Sequence, residues 1–293
     1  MAEIGNLLDP LNKGKRFLHR TEKKIVFLTF SNKNCEKYAA NLVLQAKNLN
    51  FFDNVICETD FINDDEFKVA LKNTKFSSIY NIEKGYGFWL WKPYIIYKHL
   101  CKLNDNDILI YSDPGGNFPI NPILKSWAKN KMNQYFIFLD ENNGCMSFES
   151  GFPEHKTTKM EVFDYFKDYN IENTYLTQSR VSNLHFIKKC DFSFDLYKQW
   201  WNIAKNQPYL FDDCVCRSCY NTGIIEPRND QSVWSLLCKK MKVVVHSDSP
   251  SRRPIKVNTR PIIVNSDNIM RYNWYDDDFL DSDEEDIVVS VNV

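Results

Sequence analysis

Glycine is scarce in this chain of 293 residues, with only nine, and none of them falls into a GxGxxG cluster after the first apolar run. That excludes the glycine-cradled pyrophosphate site of a dinucleotide-binding βαβ unit, and the lack of any GxxxxGK[ST] stretch excludes a Walker-type phosphate loop. No apolar run approaches the roughly 20 residues that cross a bilayer, and MAEIGNLLDPLNKGKRFLHR at the amino terminus has no apolar core of a secretion signal. The expectation is a cytoplasmic chain with no membrane span. Lys and Arg form no stripe with interleaved aromatics, so nucleic acid is not an expected partner. Nine cysteines are an odd number without the spacing of a disulfide framework, which fits a reducing compartment.

What is abundant is aromatic: 15% of residues are Phe, Trp or Tyr, within an ordinary hydrophobic share of 43%. Some of these rings are expected to line a groove. The net charge of −1 hides an asymmetry, because DDDFLDSDEED at 276–286 holds eight acids and no base, and the rest of the chain carries +7 without it. A body with a modest positive excess suits an anionic ligand. The length accommodates one large α/β domain, expected over 23–262, between a polar arm at 1–22 and an acidic, unstructured tail at 263–293.

The first strong element is KIVFLTF at 24–30, a continuous apolar run suited to a buried parallel strand. Ser31 and Asn32 follow as caps for an amphipathic helix at 35–49, and NVICET at 54–59 reads as a second strand, giving a βαβ opening. Helices are expected at 62–75, 92–103, 159–169, 181–190, 194–206 and 230–240. Strands are expected at 107–113, at 134–140 (QYFIFLD) and in KVVVHSD from 242. The fold class is therefore α/β, with a mostly parallel central sheet flanked by helices.

Two strands in this reading end in an acid, Asp113 and Asp140, and ligands of open α/β sheets collect at such carboxyl ends. Asp113 is followed by Pro114, Gly115 and Gly116. It could face a phosphate-bound metal across a closely approaching backbone, or simply form an Asp-Pro-Gly-Gly turn. Trp89 and Trp91, two apart, read equally as core anchors or as stacking surfaces, and Lys92 at a helix start could meet phosphate. Asp230 and Gln231 open a helix, where an Asn-Asp cap is the plainer alternative to a ligand contact.

GYGFWLWKPYIIYKHL followed by DILIYSDPGG resembles a family of glycosyltransferases of bacteria, algae and large DNA viruses, marked by a Gly-aromatic-Gly-aromatic-Trp-x-Trp-Lys-Pro block and a strand ending in a single Asp before a small-residue turn. Thr157 to Lys159 (TTK) and Asp230 to Lys240 (DQSVWSLLCKK) match further blocks in the same order, so the resemblance spreads over about half the chain. It implies a GT-A type fold, a nucleotide-sugar donor, a glycan or glycoprotein acceptor, and a divalent metal, Mn²⁺ or Mg²⁺. In such folds the metal motif is commonly Asp-x-Asp. Here Gly115 stands in place of the second Asp, so Asp113 would need a helper, for which His246 is the candidate. Thr29, Phe30 and Ser31 would receive the nucleotide base beside Trp91, while Lys92 and Arg228 would steady the diphosphate with Gly115 and Gln231 nearby. Asp230, and after it Asp140, would be the base of an inverting transfer. Members often carry His-Arg-His before Asp-Gln, whereas this chain has Pro227, Arg228 and Asn229.

Cys214, Cys216 and Cys219 form a CxCxxC that could bind zinc with Cys238 or His185, or be free thiols. The final EEDIVVSVNV reads as a solvated end or as a strand offered to a partner's sheet edge. The missing second Asp also motivates a rival from another class, a catalytically inactive relative that binds or scaffolds glycans.

Overall fold

In the computed structural model, residues 23–59, 64–72, 85–167, 174–212, 228–247 and 264–265 are described, with 69–72, 86 and 264–265 followed by their backbone alone. Strand β1 (Ile25–Phe30) is buried at every position but the first, as a strand covered on both faces must be. Helix α1 (Glu36–Leu49) returns the chain to β2 (Asn54–Glu58). Asn32 builds the turn ahead of α1, its Oδ1 accepting from the backbone N–H groups of Asn34 and Cys35 at 3.0 and 3.1 Å. Helices α2 (Asp65–Lys72), α3 (Gly85–Phe88) and α4 (Trp91–Cys101) precede β3 (Ile108–Ser112).

Beyond β3 lie β4 (Gly116–Asn117), α5 (Pro122–Glu141), β5 (Glu149–Pro153), α6 (Glu154–Thr157), α7 (Met160–Tyr165), β6 (Gln178–Arg180), β7 (Leu184–Lys188), α8 (Asp191–Asn206), a 3₁₀ turn (Pro208–Leu210), α9 (Asn229–Lys240) and β8 (Val264–Asn265). The main sheet runs β2-β1-β3-β7. The first three strands are parallel, with Phe30 beside Glu58 and Leu28 beside Tyr111, and β7 is antiparallel to β3, with Tyr111 beside His185. Bridges from Cys145 to Ile187 and from Ser147 to Val245 widen the sheet past β7. This is the mixed α/β architecture, mostly parallel and flanked by helices, that the sequence leads one to expect.

Side chains alternate across a strand, and that period sorts the core into two layers. Val26, Leu28, Phe30, Leu109 and Tyr111 face α4, α8 and α9. Phe27, Ile108, Ile110 and Phe186 face α1 and α5. The aromatic wealth goes largely into the first layer: Trp91, Trp200, Trp201 and Trp234 are each no more than 3% exposed. They fill the core instead of lining a groove.

Three expected elements differ. QYFIFLD belongs to α5, which Asn121 caps by accepting from Ile123 N–H, with Pro122 in the first turn. Its buried residues Ala128, Met132, Tyr135, Phe136 and Leu139 repeat with helical spacing, and Ile137, in the middle of the apolar run, is 59% exposed. The expected helix at 181–190 is instead the end of the β6 to β7 turn and β7 itself, a strand paired on both sides whose apolar run lacks alternation because both its faces are covered. Of the strand expected from 242, the described residues form only the Val245 bridge. Val264–Asn265, inside the expected unstructured tail, pair antiparallel with Gly116–Asn117. The arm at 1–22, the CxCxxC cysteines and the acidic run lie outside the described residues.

Candidate functional site

The glycine-aromatic block forms an unusual turn. Gly85, Gly87, Phe88 and Trp89 all have positive φ, at 56°, 90°, 55° and 59°, and Trp89 N–H bonds to Gly85 O at 3.1 Å. For Phe88 and Trp89 this left-handed backbone is costly, about 1–2 kcal/mol each, and glycine at 85 and 87 is what lets the rest of the turn adopt it. A Cβ on Gly85 would lie 2.3 Å from the Trp89 ring, so that ring lies directly on the glycine. Trp91 then donates from Nε1 to Gly85 O at 2.9 Å and stacks on Phe30 with centroids 3.8 Å apart. The turn thus closes against the end of β1 and starts α4 with Lys92 pointing into the protein. Pro93, third in α4, needs no donor because the N–H groups of a first turn have no partner within the helix.

Lys92 is only 2% exposed. Its Nζ lies 3.2 Å from each carboxylate oxygen of Asp113 and 2.9 Å from Asp230 Oδ2. Three elements meet here: the start of α4, the carboxyl end of β3 and the first turn of α9. Tyr111, two residues before Asp113 and so on the same face of the strand, donates from its hydroxyl to Asp113 Oδ1 at 2.6 Å. Ser182 donates to Asp230 Oδ2 at 2.7 Å. Both bonds to Asp230 fall on Oδ2, and Oδ1 has no partner among the described residues. Asp113 is the most open member, its side chain 18% exposed against 8% for Asp230.

Behind Ser182 the network continues. Its carbonyl can only accept, so the His185 Nε2 that lies 2.9 Å away carries the proton, and Nδ1 then accepts from the Tyr197 hydroxyl at 2.9 Å. Burial, aided by the charge of Lys92, pushes the His185 imidazolium down to about 3, so the ring is neutral. Burial also opposes the charge on Lys92, but Asp113 and Asp230 outweigh it and hold the ammonium above its ordinary value. Asp230 is raised, by burial first and by the neighbouring Asp113, with Lys92 and Ser182 offsetting part of the rise. Tyr111 is driven far up by burial and by Asp113, which keeps it a donor.

The turn after Asp113 is also a turn in the ordinary sense: Gly116 N–H donates to Asp113 O at 3.0 Å, and Asp113 N–H to Asn183 O at 2.9 Å. Both readings of Asp-Pro-Gly-Gly hold together, since the turn leaves the carboxylate in the Lys92 cluster. Asn183 Oδ1, close by, is buried with no hydrogen-bond partner among the described residues. Gly115 is buried in the same turn. Thr29 ties the strands by donating to Ser112 O at 2.8 Å, and Ser31 N–H donates to Glu58 O at 2.9 Å.

The blocks at 157–159 and 230–240 also meet. Thr157 O accepts from Arg228 N–H at 2.8 Å and from Ser232 Oγ at 2.9 Å. The Arg228 guanidinium lies over the Phe152 ring at 5.1 Å, and Gln231 Nε2 reaches Ser179 Oγ at 3.4 Å. Lys159 binds Tyr209 O and Asp212 and braces the loop after α8. Glu154, fully buried, accepts from Thr158, Ser235 and Lys239. These contacts hold α9 in place so that Asp230 meets Lys92.

Two expected site residues stand apart from the cluster. Asp140, on α5, pairs with Lys188 at 2.8 Å and is 46% exposed. His246 packs edge-on to Tyr135 and Phe138 of α5, both at 4.8 Å between centroids. Tyr111, Ser182, Tyr197 and Asn183 were not singled out from the sequence, and His185 entered only as a possible zinc ligand, whereas its ring nitrogens here meet Ser182 O and the Tyr197 hydroxyl. Only Tyr111 carried a legible signal, its spacing of two from Asp113 on a strand.

A divalent cation, implied by the resemblance, does not match the donor set present. Hard cations take several oxygen ligands, yet among the described residues no three His, Cys, Asp or Glu side chains come together. Asp113 has Tyr111 and Lys92 on one oxygen and Lys92 on the other. No described helix is long and apolar enough to cross a membrane.

No family model matches the chain, and no curated protein matches it. Among solved structures it is similar to a glycosyltransferase involved in the glycosylation of the major capsid of PBCV-1, at 12% identity and a TM-score of 0.43, over 78% of this chain and 82% of that one. It is also similar to mouse xyloside xylosyltransferase 1 in its apo form, at 10% identity and a TM-score of 0.38, over 76% and 84%. At these scores neither likeness assigns a function.

Proposed function

We propose that this chain is a GT-A type glycosyltransferase that moves a sugar from a nucleotide diphosphate sugar to a hydroxyl of a glycan or glycoprotein. One observation carries the reading. The Trp-Lys-Pro block, the strand-end Asp and the Asp-Gln helix, which carry the family resemblance, converge on a single buried cluster of Lys92, Asp113 and Asp230. That cluster lies at the carboxyl end of the parallel strands, where open α/β sheets place their ligands.

Asp113, the most open of the three, borders the donor diphosphate in this reading. Thr29 and Phe30, which end β1, and Ser31 after them take the nucleotide side, with Trp91 stacked on Phe30 as support, and Gly115, Arg228 and Gln231 are the further donor contacts of the proposal. Asp230 is the base if the transfer inverts: its Oδ1 has no partner among the described residues, and burial raises its affinity for a proton above that of an ordinary carboxylate. The acceptor oxygen would bond to the anomeric carbon, its proton passing to Asp230 Oδ1, as the bond to the diphosphate breaks and its electron pair leaves with that group. Asp140, on α5 and paired with Lys188, is the second choice of base.

The test is a panel of nucleotide sugars offered with candidate acceptors, reading release of the free nucleotide. Turnover of one donor that falls at least tenfold in Asp113→Asn supports the reading. An inactive glycan-binding role is favoured by Gly115 in place of the second Asp, and nucleotide-sugar binding without turnover across the panel would support it.

A further inference from the structure

We propose that Lys92 is the resident cation of this site and takes the place of a divalent metal, so that the nucleotide diphosphate binds without one; this rests on the glycosyltransferase reading above. A metal between a carboxylate and a diphosphate screens two groups of negative charge that would otherwise repel. Here a fixed positive charge already touches the carboxylate. The ammonium of Lys92 lies 3.2 Å from both oxygens of Asp113.

That charge cannot move aside. Lys92 is 2% exposed, and its ammonium is held from the other side by Asp230 at 2.9 Å. A carboxylate offers about four acceptor positions. On Asp113 three are taken, two by Lys92 and one by the Tyr111 hydroxyl. A cation bound to either oxygen at the usual distance of about 2.0–2.6 Å would sit no more than about 6 Å from a buried ammonium and be repelled by it. Gly115 stands where a second metal-binding acid would be, Asp230 turns Oδ2 to Lys92 and Ser182, and the imidazole expected to help, His246, is packed against the rings of α5.

The full chain, freed of metal with a chelator, is titrated calorimetrically with UDP, GDP, TDP and ADP, in chelator and again with millimolar Mn²⁺. Electron paramagnetic resonance of Mn²⁺ is followed in parallel. At least one nucleotide is expected to bind with a Kd that agrees within about threefold in the two buffers, with no loss of free Mn²⁺ signal beyond what the nucleotide alone takes up. Binding that tightens tenfold or more with Mn²⁺, or Mn²⁺ held by the protein, overturns the inference and leaves the glycosyltransferase reading standing. If no nucleotide binds in either buffer, and no nucleotide sugar binds or is turned over, the glycosyltransferase reading falls and this inference falls with it.

Discussion

The ammonium of Lys92 and the carboxylate of Asp230 lie 2.9 Å apart, both buried, although one opens α4 and the other opens α9. Breaking a buried pair from one side leaves a charge without compensation and costs about 3–5 kcal/mol, whereas removing both partners costs much less. Lys92→Met alone is therefore expected to lower the unfolding free energy by about that amount. Lys92→Met with Asp113→Asn and Asp230→Asn should recover at least half of the loss. Urea denaturation of the single and triple variants reads this, and a triple variant less stable than the single one would show that the three groups do not form one charge cluster.

His185 makes stability depend on pH. Its folded value of about 3 lies below the ordinary 6.5 because the ring is buried. Below pH 6.5 the unfolded chain takes up a proton that the folded chain refuses, so this contribution is fully present above 6.5 and is lost as pH falls toward 3. The expected slope from this one residue is about 1 kcal/mol per pH unit. His185→Gln should flatten the fall in stability between pH 6.5 and 5 by that slope. Identical pH dependence in the two proteins would place the wild-type ring in water or in its charged form.

The left-handed turn at 85–89 needs glycine at its first position. Gly85→Ala puts a methyl 2.3 Å from the Trp89 ring at φ +56°, and the expected cost is about 1–3 kcal/mol. Because the turn carries Trp89 and Trp91, their fluorescence should shift as well. An alanine variant with unchanged stability and emission would mean that the turn is not required.

How much of this was legible in the sequence depended on how far each signal is local. β1, β3, α4 and α9 were readable because their apolar runs and flanking Pro, Asn and acid residues carry the period themselves, and with them came Lys92, Asp113 and Asp230 as separate candidates. That the three share one cluster is a matter of long-range packing, which no spacing reveals. The continuous burial of β7 erases the alternation that marks a strand, so Ser182 just before it went unnoticed and His185 was considered only for zinc. Asp140 was drawn toward the site by an apolar run, YFIFL, that is helical, and α5 points it at Lys188 instead. Tyr111 could have been found, since a residue two before a strand-end acid shares its face.

The proposed sugar transfer, with Asp230 taking the acceptor proton, is tested most directly by Asp230→Asn. With the donor found in the panel, the variant is expected to keep nucleotide affinity within about threefold while turnover falls by about 10²–10⁴. Wild-type turnover in Asp230→Asn would contradict the account.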